Sequence, residues 1–333
     1  MTSKCFPARL AVYALSLVLA LAVCLAAEPK LGPRDRSKRP PAAEVGFKFA
    51  PSRLQITIAG KEFATYVFGH SKIPRPFFAF VTTPSGVQAT RNFPPVEGVD
   101  DMDHDTYHPG IWLAFGDVSG SDYWRNKCKV EHELFSEDPQ GGPGKGSFTV
   151  RNFYQDANGN RKILEICKYT ILARPQYTLL IYDSTFSSDE EDFYFGDQEE
   201  LGLGIRVNTK IAERHGGMVT NADGLKTAKT CWGQPSDWID YSGVVDGITI
   251  GMMIMPSPKN FRPSWYHARA YGFVAANPFG RKAMGKGEED KTWVRKGEKF
   301  HYGNGVAVYS AREGQKIDHQ AIYREYLKAL GVN

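Results

Sequence analysis

Apolar and polar residues alternate with a period of two along most of this chain. Leu54–Ile58 alternates cleanly, which predicts a half-buried strand. The Gly60-Lys61 turn follows, and Phe63–Phe68 reads as the returning arm of a hairpin. Phe77–Val81 is a short apolar run ended by Pro84-Ser85-Gly86, and Ile111–Phe115 is another, predicting a core strand. Ser147–Tyr154 alternates, turns at Asn158-Gly159 and returns through Lys162–Ile171. Tyr177–Ser187, Leu203–Val207, Thr249–Met255, Gly272–Ala275 and Gly305–Tyr309 add further strands.

Long helical periodicity occurs once, at Asp318–Leu330. It places Ile322, Tyr323, Tyr326, Leu327 and Leu330 on one face, with Asp318 as N-cap and Gly331 as the stop. Elsewhere the apolar runs are strand-length and punctuated by Gly, Pro, Asn and Asp. The pattern predicts an all-β fold, a large antiparallel β-sandwich with one C-terminal helix. No internal repeat is visible, which argues against a propeller.

The N-terminus breaks the strand pattern. Lys4 and Arg9 precede an apolar run from Leu10 to Ala27 that ends in small residues before Glu28. This reads as a signal peptide over 1–27, so an exported protein, periplasmic or secreted, is expected. The run is also about the 18 residues a membrane span needs, so a retained anchor is the alternative. No later run approaches a span. Residues 28–46 are basic and Pro-rich, predicting an unstructured linker, with one β-sandwich domain over 47–333.

Composition narrows the function classes. A net charge of +4 over 333 residues, part of it in the N-terminal segment, gives no nucleic-acid footprint. Cys128, Cys167 and Cys231 are odd in number and widely spaced, so they form no disulfide framework; one bridge or three buried thiols are both open.

Three segments carry candidate chemistry. The first runs from Asp103 to His108, where Asp and His crowd a loop just before the Ile111 strand. His104 and His108 either flank a substrate group, ligate a metal with a carboxylate, or belong to a capped surface turn. The second, Gly196–Arg206, carries Asp197, Glu199 and Glu200 ahead of a Gly-rich strand ending in Arg206. An inward Glu200 would have a raised pKa suited to proton transfer, and Arg206 would hold substrate oxygens; the alternative is a surface ion pair. The third places Trp265, His267, Arg269 and Tyr271 at alternate positions, with Asn277 shortly after. On a strand these would share one face. Such a set suits a sugar, with Trp stacking on the ring and polar groups meeting hydroxyls, or is a polar solvent face. No nucleophile elbow, P-loop or dinucleotide fingerprint is present.

Four segments together resemble a known family: HPGIWLAFGDVSGSDYW (108–124), FGDQEELGLGIRV (195–207), WIDYSGVVDG (238–247) and RPSWYHARAYGFVAANPFG (262–280). The family is exported, abundant in planctomycetes, and often labelled "methane oxygenase PmoA" or a domain of unknown function. The resemblance covers roughly 50–330. The membrane methane monooxygenase subunit of that name has many spans. This chain shows none after its N-terminal run, so that enzyme's fold and function do not carry over. Relatives resemble DHPHHRGLWF where this chain has HDTYHPGIWL, which keeps His108 but lacks the neighbouring His and Arg. Asp197 and Glu200 match the family's acidic motif, and Trp265, His267, Arg269 and Asn277 match as well. At fold level the chain also resembles the galactose-mutarotase type of β-supersandwich, whose members bind sugars on a concave sheet.

The resemblance implies a carbohydrate-active enzyme performing epimerisation, elimination or hydrolysis. Glu200 would be the base, and His104, His108 and His267 acids or substrate binders. Arg206, Arg269, Trp265, Tyr271, Asn277 and Asp197 would position a carbohydrate or other small molecule. No cofactor is required by that reading. The alternatives are a non-catalytic sugar-binding module and the metal-dependent oxygenase that the family label implies.

Overall fold

The computed structural model describes residues 42–312 and 315–332. The expected signal peptide and nearly all of the expected linker lie outside them. The linker's predicted end at 46 is too late, because the first strand already runs over Glu44–Ala50 and pairs with Arg53–Ile58.

The fold is an antiparallel β-sandwich. One sheet has nine strands in the order Trp265–Arg269, Phe273–Asn277, Leu201–Arg206, Ile111–Phe115, Phe77–Ala79, Lys61–Val67, Arg53–Ile58, Glu44–Ala50 and Gly142–Pro143. The other has eight: Met218–Asn221, Ile239–Val245, Ile248–Pro256, Phe300–Arg312, Tyr177–Ser187, Arg161–Ala173, Lys145–Gln155 and Val130–Gln140. A ribbon of Phe193–Phe195 and Thr292–Val294 completes the strands.

Strand alternation builds the layers. In Ile111–Phe115 the residues Ile111, Leu113 and Phe115 enter the core between the sheets. Trp112 and Ala114 point the other way, into a second apolar cluster with Phe77, Trp124, Phe273 and Ala275. Both faces of this strand are therefore covered, which is why its sequence is apolar throughout. The same alternation sends Leu201, Leu203, Ile205, Tyr266 and Ala268 inward. It leaves Arg206, Trp265, His267 and Arg269 on the outer face of the nine-stranded sheet.

The helix runs over His319–Ala329, with the Asp318 side chain accepting from the Ala321 amide at 2.8 Å. Ile322, Tyr323 and Tyr326 pack on Leu179, Met253 and Ala307 of the eight-stranded sheet. Cys128, Cys167 and Cys231 are free, buried thiols. Among the described residues no helix is long and apolar enough to cross a membrane.

Candidate active site

The Gly-rich strand Leu201–Arg206 shapes the outer face. A Cβ on Gly204 would lie 2.6 Å from the Trp112 ring, so only glycine lets that indole rest on the strand. Arg206, at the strand's end, is 1% exposed. Its two terminal nitrogens donate to the two carboxylate oxygens of Asp103 at 2.8 and 2.9 Å, and its guanidinium lies 4.7 Å from the Tyr271 ring centre. Asp103 also accepts from His104 Nδ1 at 2.8 Å. Burial pushes the Asp103 carboxyl up, but the bonds from Arg206 and His104 outweigh it and hold it well below the usual carboxylate range. Arg91 fixes the same loop by donating to the carbonyls of Asp101 and Asp103, both at 2.6 Å.

His104 and His108 stack ring on ring, with centroids 4.6 Å apart and an interplanar angle of 6°. Behind them His108 stacks on Trp112 and Phe273, and His104 on Tyr271. Burial, then the His104 and Arg206 charges, pushes the His108 imidazole well down, so it stays neutral. Imidazole lone pairs lie in the ring plane, so two parallel rings do not aim at one ion. Among the described residues no three His, Cys, Asp or Glu side chains are arranged to hold a metal. The metal set that the expected family label implied does not fit these residues as they are placed.

The second half of the site lies on the hairpin Trp265–Arg269 and Phe273–Asn277. His267 Nδ1 lies 3.1 Å from the Glu199 carbonyl oxygen, which only accepts, so Nδ1 carries the proton. The other ring nitrogen, Nε2, is then a bare acceptor. It is buried, has no hydrogen-bond partner, and sits 3.2 Å from Glu199 Oε2. Burial, then the Arg269 charge, pushes the His267 imidazole down to about 3. Burial, aided by the Glu200 charge, pushes the Glu199 carboxyl up, although Arg269 donates to it at 2.6 Å. Asn277 anchors the backbone on which Glu199 rides. Its Nδ2 donates to the Gln198 and Glu199 carbonyls, and its Oδ1 accepts from the Phe279 and Gly280 amides.

Other expected residues are placed differently. Glu200 does not face a histidine in the manner of Glu199; its Oε2 pairs with Arg125 at 2.7 Å, and Arg125 also reaches Asp122 at 3.2 Å. Asp197 accepts from the amides of Lys282, Ala283 and Asp290, so it pins a loop. The strand bearing Trp265, His267 and Arg269 ends before Tyr271, which sits in the following turn, yet the Tyr271 ring stacks with Phe273 and His104. The site thus gathers His104, His108, Arg206, Tyr271, His267 and Arg269. It adds Asp103 and Glu199, which sequence reasoning had not singled out as site residues. The adjacent pair Glu199-Glu200 gave no signal as to which carboxylate turns toward the histidine, because neighbours in extended chain point oppositely.

A family model described as a family of unknown function (DUF6807) matches residues 53–321. The chain belongs to that family. The DUF6807 description names no oxygenase. No curated protein matches the sequence. Among solved structures, this DUF6807 chain is similar to a GH36 α-galactosidase from Geobacillus stearothermophilus at TM-score 0.40 and 11% identity, covering 80% of this chain and 41% of that one. It is also similar to a galactose mutarotase-related enzyme from Lactobacillus acidophilus, at TM-score 0.28 and 10% identity, covering 82% and 100%. A kojibiose phosphorylase from human microbiome matches at TM-score 0.33 and 9% identity, covering 67% and 26%. The chain therefore spans less than half the length of the phosphorylase and the galactosidase. At these scores none of the likenesses bears on activity.

Proposed function

We propose that this protein is an exported, carbohydrate-active enzyme that performs acid/base chemistry on a sugar held against the outer face of the nine-stranded sheet. One observation carries the reading: His267 Nε2, buried and unpartnered, faces Glu199 Oε2 at 3.2 Å. Two acceptors at that distance repel unless a proton lies between them. That proton is the one on a protonated Glu199, which donates to Nε2. A carboxyl with a raised pKa beside a neutral imidazole can give and take a proton in one turnover. Arg269 holds Glu199 in place at 2.6 Å. Trp265, on the same strand face as His267, offers an aromatic face to a sugar ring. Epimerisation, elimination and hydrolysis all use such a pair, and the sugar decides among them.

The test is a panel of mono- and oligosaccharides followed by proton NMR, which distinguishes the three products. On the sugar that reacts, Glu199→Gln is expected to lower kcat by roughly 100-fold or more while binding survives. Full turnover in Glu199→Gln would remove Glu199 from the chemistry. Export rests on the basic and apolar pattern of residues 1–27. Mass spectrometry of the protein recovered from its producing cells is expected to show a chain beginning after Ala27; an intact N-terminus would favour a retained anchor.

A non-catalytic sugar-binding role is the second reading. It is favoured by the pairing of Arg206 with Asp103 and of Arg125 with Glu200, which commits four charged groups to one another. Tight sugar binding with no product from any panel member would support it.

A further inference from the structure

The charges on the outer face of the nine-stranded sheet do not cancel. His267 gives its Nδ1 proton to the Glu199 carbonyl, so a second proton lies between Nε2 and Glu199 Oε2. That shared proton makes Glu199 and His267 neutral as a pair, whichever of the two atoms holds it. Arg269 donates to Glu199 at 2.6 Å and is therefore left without a counter-charge. Its side chain is 37% exposed. Beyond Glu199, its hydrogen bonding among the described residues is one long contact, 3.4 Å to the Ala268 carbonyl. Most of the five guanidinium donors are thus open.

The neighbouring carboxylates are committed elsewhere. Glu200 meets Arg125 at 2.7 Å. Asp103 meets Arg206 at 2.8 Å and Arg214 at 3.1 Å, and Asp101 meets Arg214 at 2.5 Å. Asp105 is exposed and bonds the Thr106 amide, where water screens its charge. Behind the histidines, Arg91 bonds backbone carbonyls, and Asp100 offsets its charge. Arg75 has no such partner. It is 3% exposed and donates to the Tyr107 and Tyr123 carbonyls and to the Asn126 amide oxygen. Asp122 acts on it at longer range, but already accepts from Arg125 at 3.2 Å and lies 3.5 Å from Lys127. Arginine keeps its charge when buried, and a charge in a low-dielectric wall reaches farther than one in water. The face therefore carries excess positive charge, with Arg269 as its accessible member.

We propose, building on the acid/base reading of Glu199 and His267, that the substrate is an acidic sugar, a uronate whose carboxylate is held by Arg269. A carboxylate accepts two parallel bonds from a guanidinium fork, and its single charge matches the one that Arg269 leaves unmet. A phosphate monoester brings nearly two charges, more than the exposed cation balances. A neutral hexose leaves Arg269 uncompensated.

Saturation-transfer NMR titration at neutral pH tests this with matched pairs that differ only at C6: D-glucuronate against D-glucose, and D-galacturonate against D-galactose. Acetate and glucose 6-phosphate are the further probes. In at least one pair the uronate is expected to bind about tenfold tighter or more, the effect of a charge-assisted bidentate bond. Arg269→Met is expected to erase that margin. Arg269→Lys keeps the charge without the fork, and is expected to weaken uronate binding severalfold while hexose binding stays the same. The proposal falls if each hexose binds as tightly as its uronate, or if the margin survives Arg269→Met or is untouched by Arg269→Lys. It falls equally if acetate matches the uronate or glucose 6-phosphate binds more tightly. All of these outcomes leave the acid/base reading standing. Binding of neither uronates nor hexoses would overturn both.

Discussion

Arg206 is a guanidinium placed almost wholly out of water, and one side chain makes that tolerable. Asp103 meets it with two parallel hydrogen bonds. Removing one member of such a pair leaves an uncompensated buried charge, which costs more than the pair itself contributes. Asp103→Ala is therefore expected to lower the unfolding free energy by about 3 kcal/mol, the low end of the range because Asp103 is itself partly exposed. Urea unfolding measures it, and a loss below about 1 kcal/mol would mean that other groups carry the Arg206 charge. The pH dependence has a definite sign. Arg206 and His104 hold the folded Asp103 carboxyl below its unfolded value. Its contribution is thus present above about pH 4 and disappears as the pH falls further. The variant is expected to lack that part of the acid sensitivity.

Elements with a continuous apolar run or a single apolar stripe were the ones the sequence announced. Ile111–Phe115 and the helix His319–Ala329 were readable because burial on both faces, or on one stripe, leaves a direct apolar pattern. Val130–Gln140 was not readable. It is a sheet edge, with charged residues, Pro139 and several register shifts against Lys145–Gln155, so no period survives. The site was half readable for a similar reason. Alternation along Trp265–Arg269 correctly placed Trp265, His267 and Arg269 on one face, because strand geometry alone decides that. The choice of Glu199 over Glu200 depends on how the 196–200 segment is held, by Asn277 and by the Lys282 and Ala283 amides that donate to Asp197, contacts 78 to 86 residues away in the chain. Gly204 shows how closely these elements are fitted. Gly204→Ala would push a methyl into the Trp112 ring, and overpacking of this kind costs about 1–3 kcal/mol. Thermal unfolding is expected to show the loss, and it would be accompanied by a changed Trp112 environment in near-ultraviolet circular dichroism. An unchanged melting point would mean the indole has room to slide.

Across the whole molecule, the two sheets enclose an apolar core with a polar island inside it. Glu165 is buried in the eight-stranded sheet and accepts from Asn152 at 3.0 Å and from Ser184 at 2.7 Å. The hydroxyls of Tyr66 and Tyr182 are buried without partners. Burial pushes the Glu165 carboxyl up, although both hydrogen bonds pull it down. A carboxyl raised above its unfolded value stabilises the fold fully below about pH 4.3, the ordinary value for glutamate. That contribution is lost as the pH climbs toward the folded value, because the unfolded chain ionises Glu165 freely in water while the core resists the charge. Glu165→Gln keeps the shape and removes the titration. At low pH the variant is expected to be no more stable than the parent, since its amide cannot accept through both ends. As the pH rises from about 4 to 8 the difference should move in the variant's favour, read as the urea midpoints of both proteins across that range. A gap that stays constant with pH would show that Glu165 ionises as easily in the core as in water, and the sandwich interior would then have to admit solvent to the island.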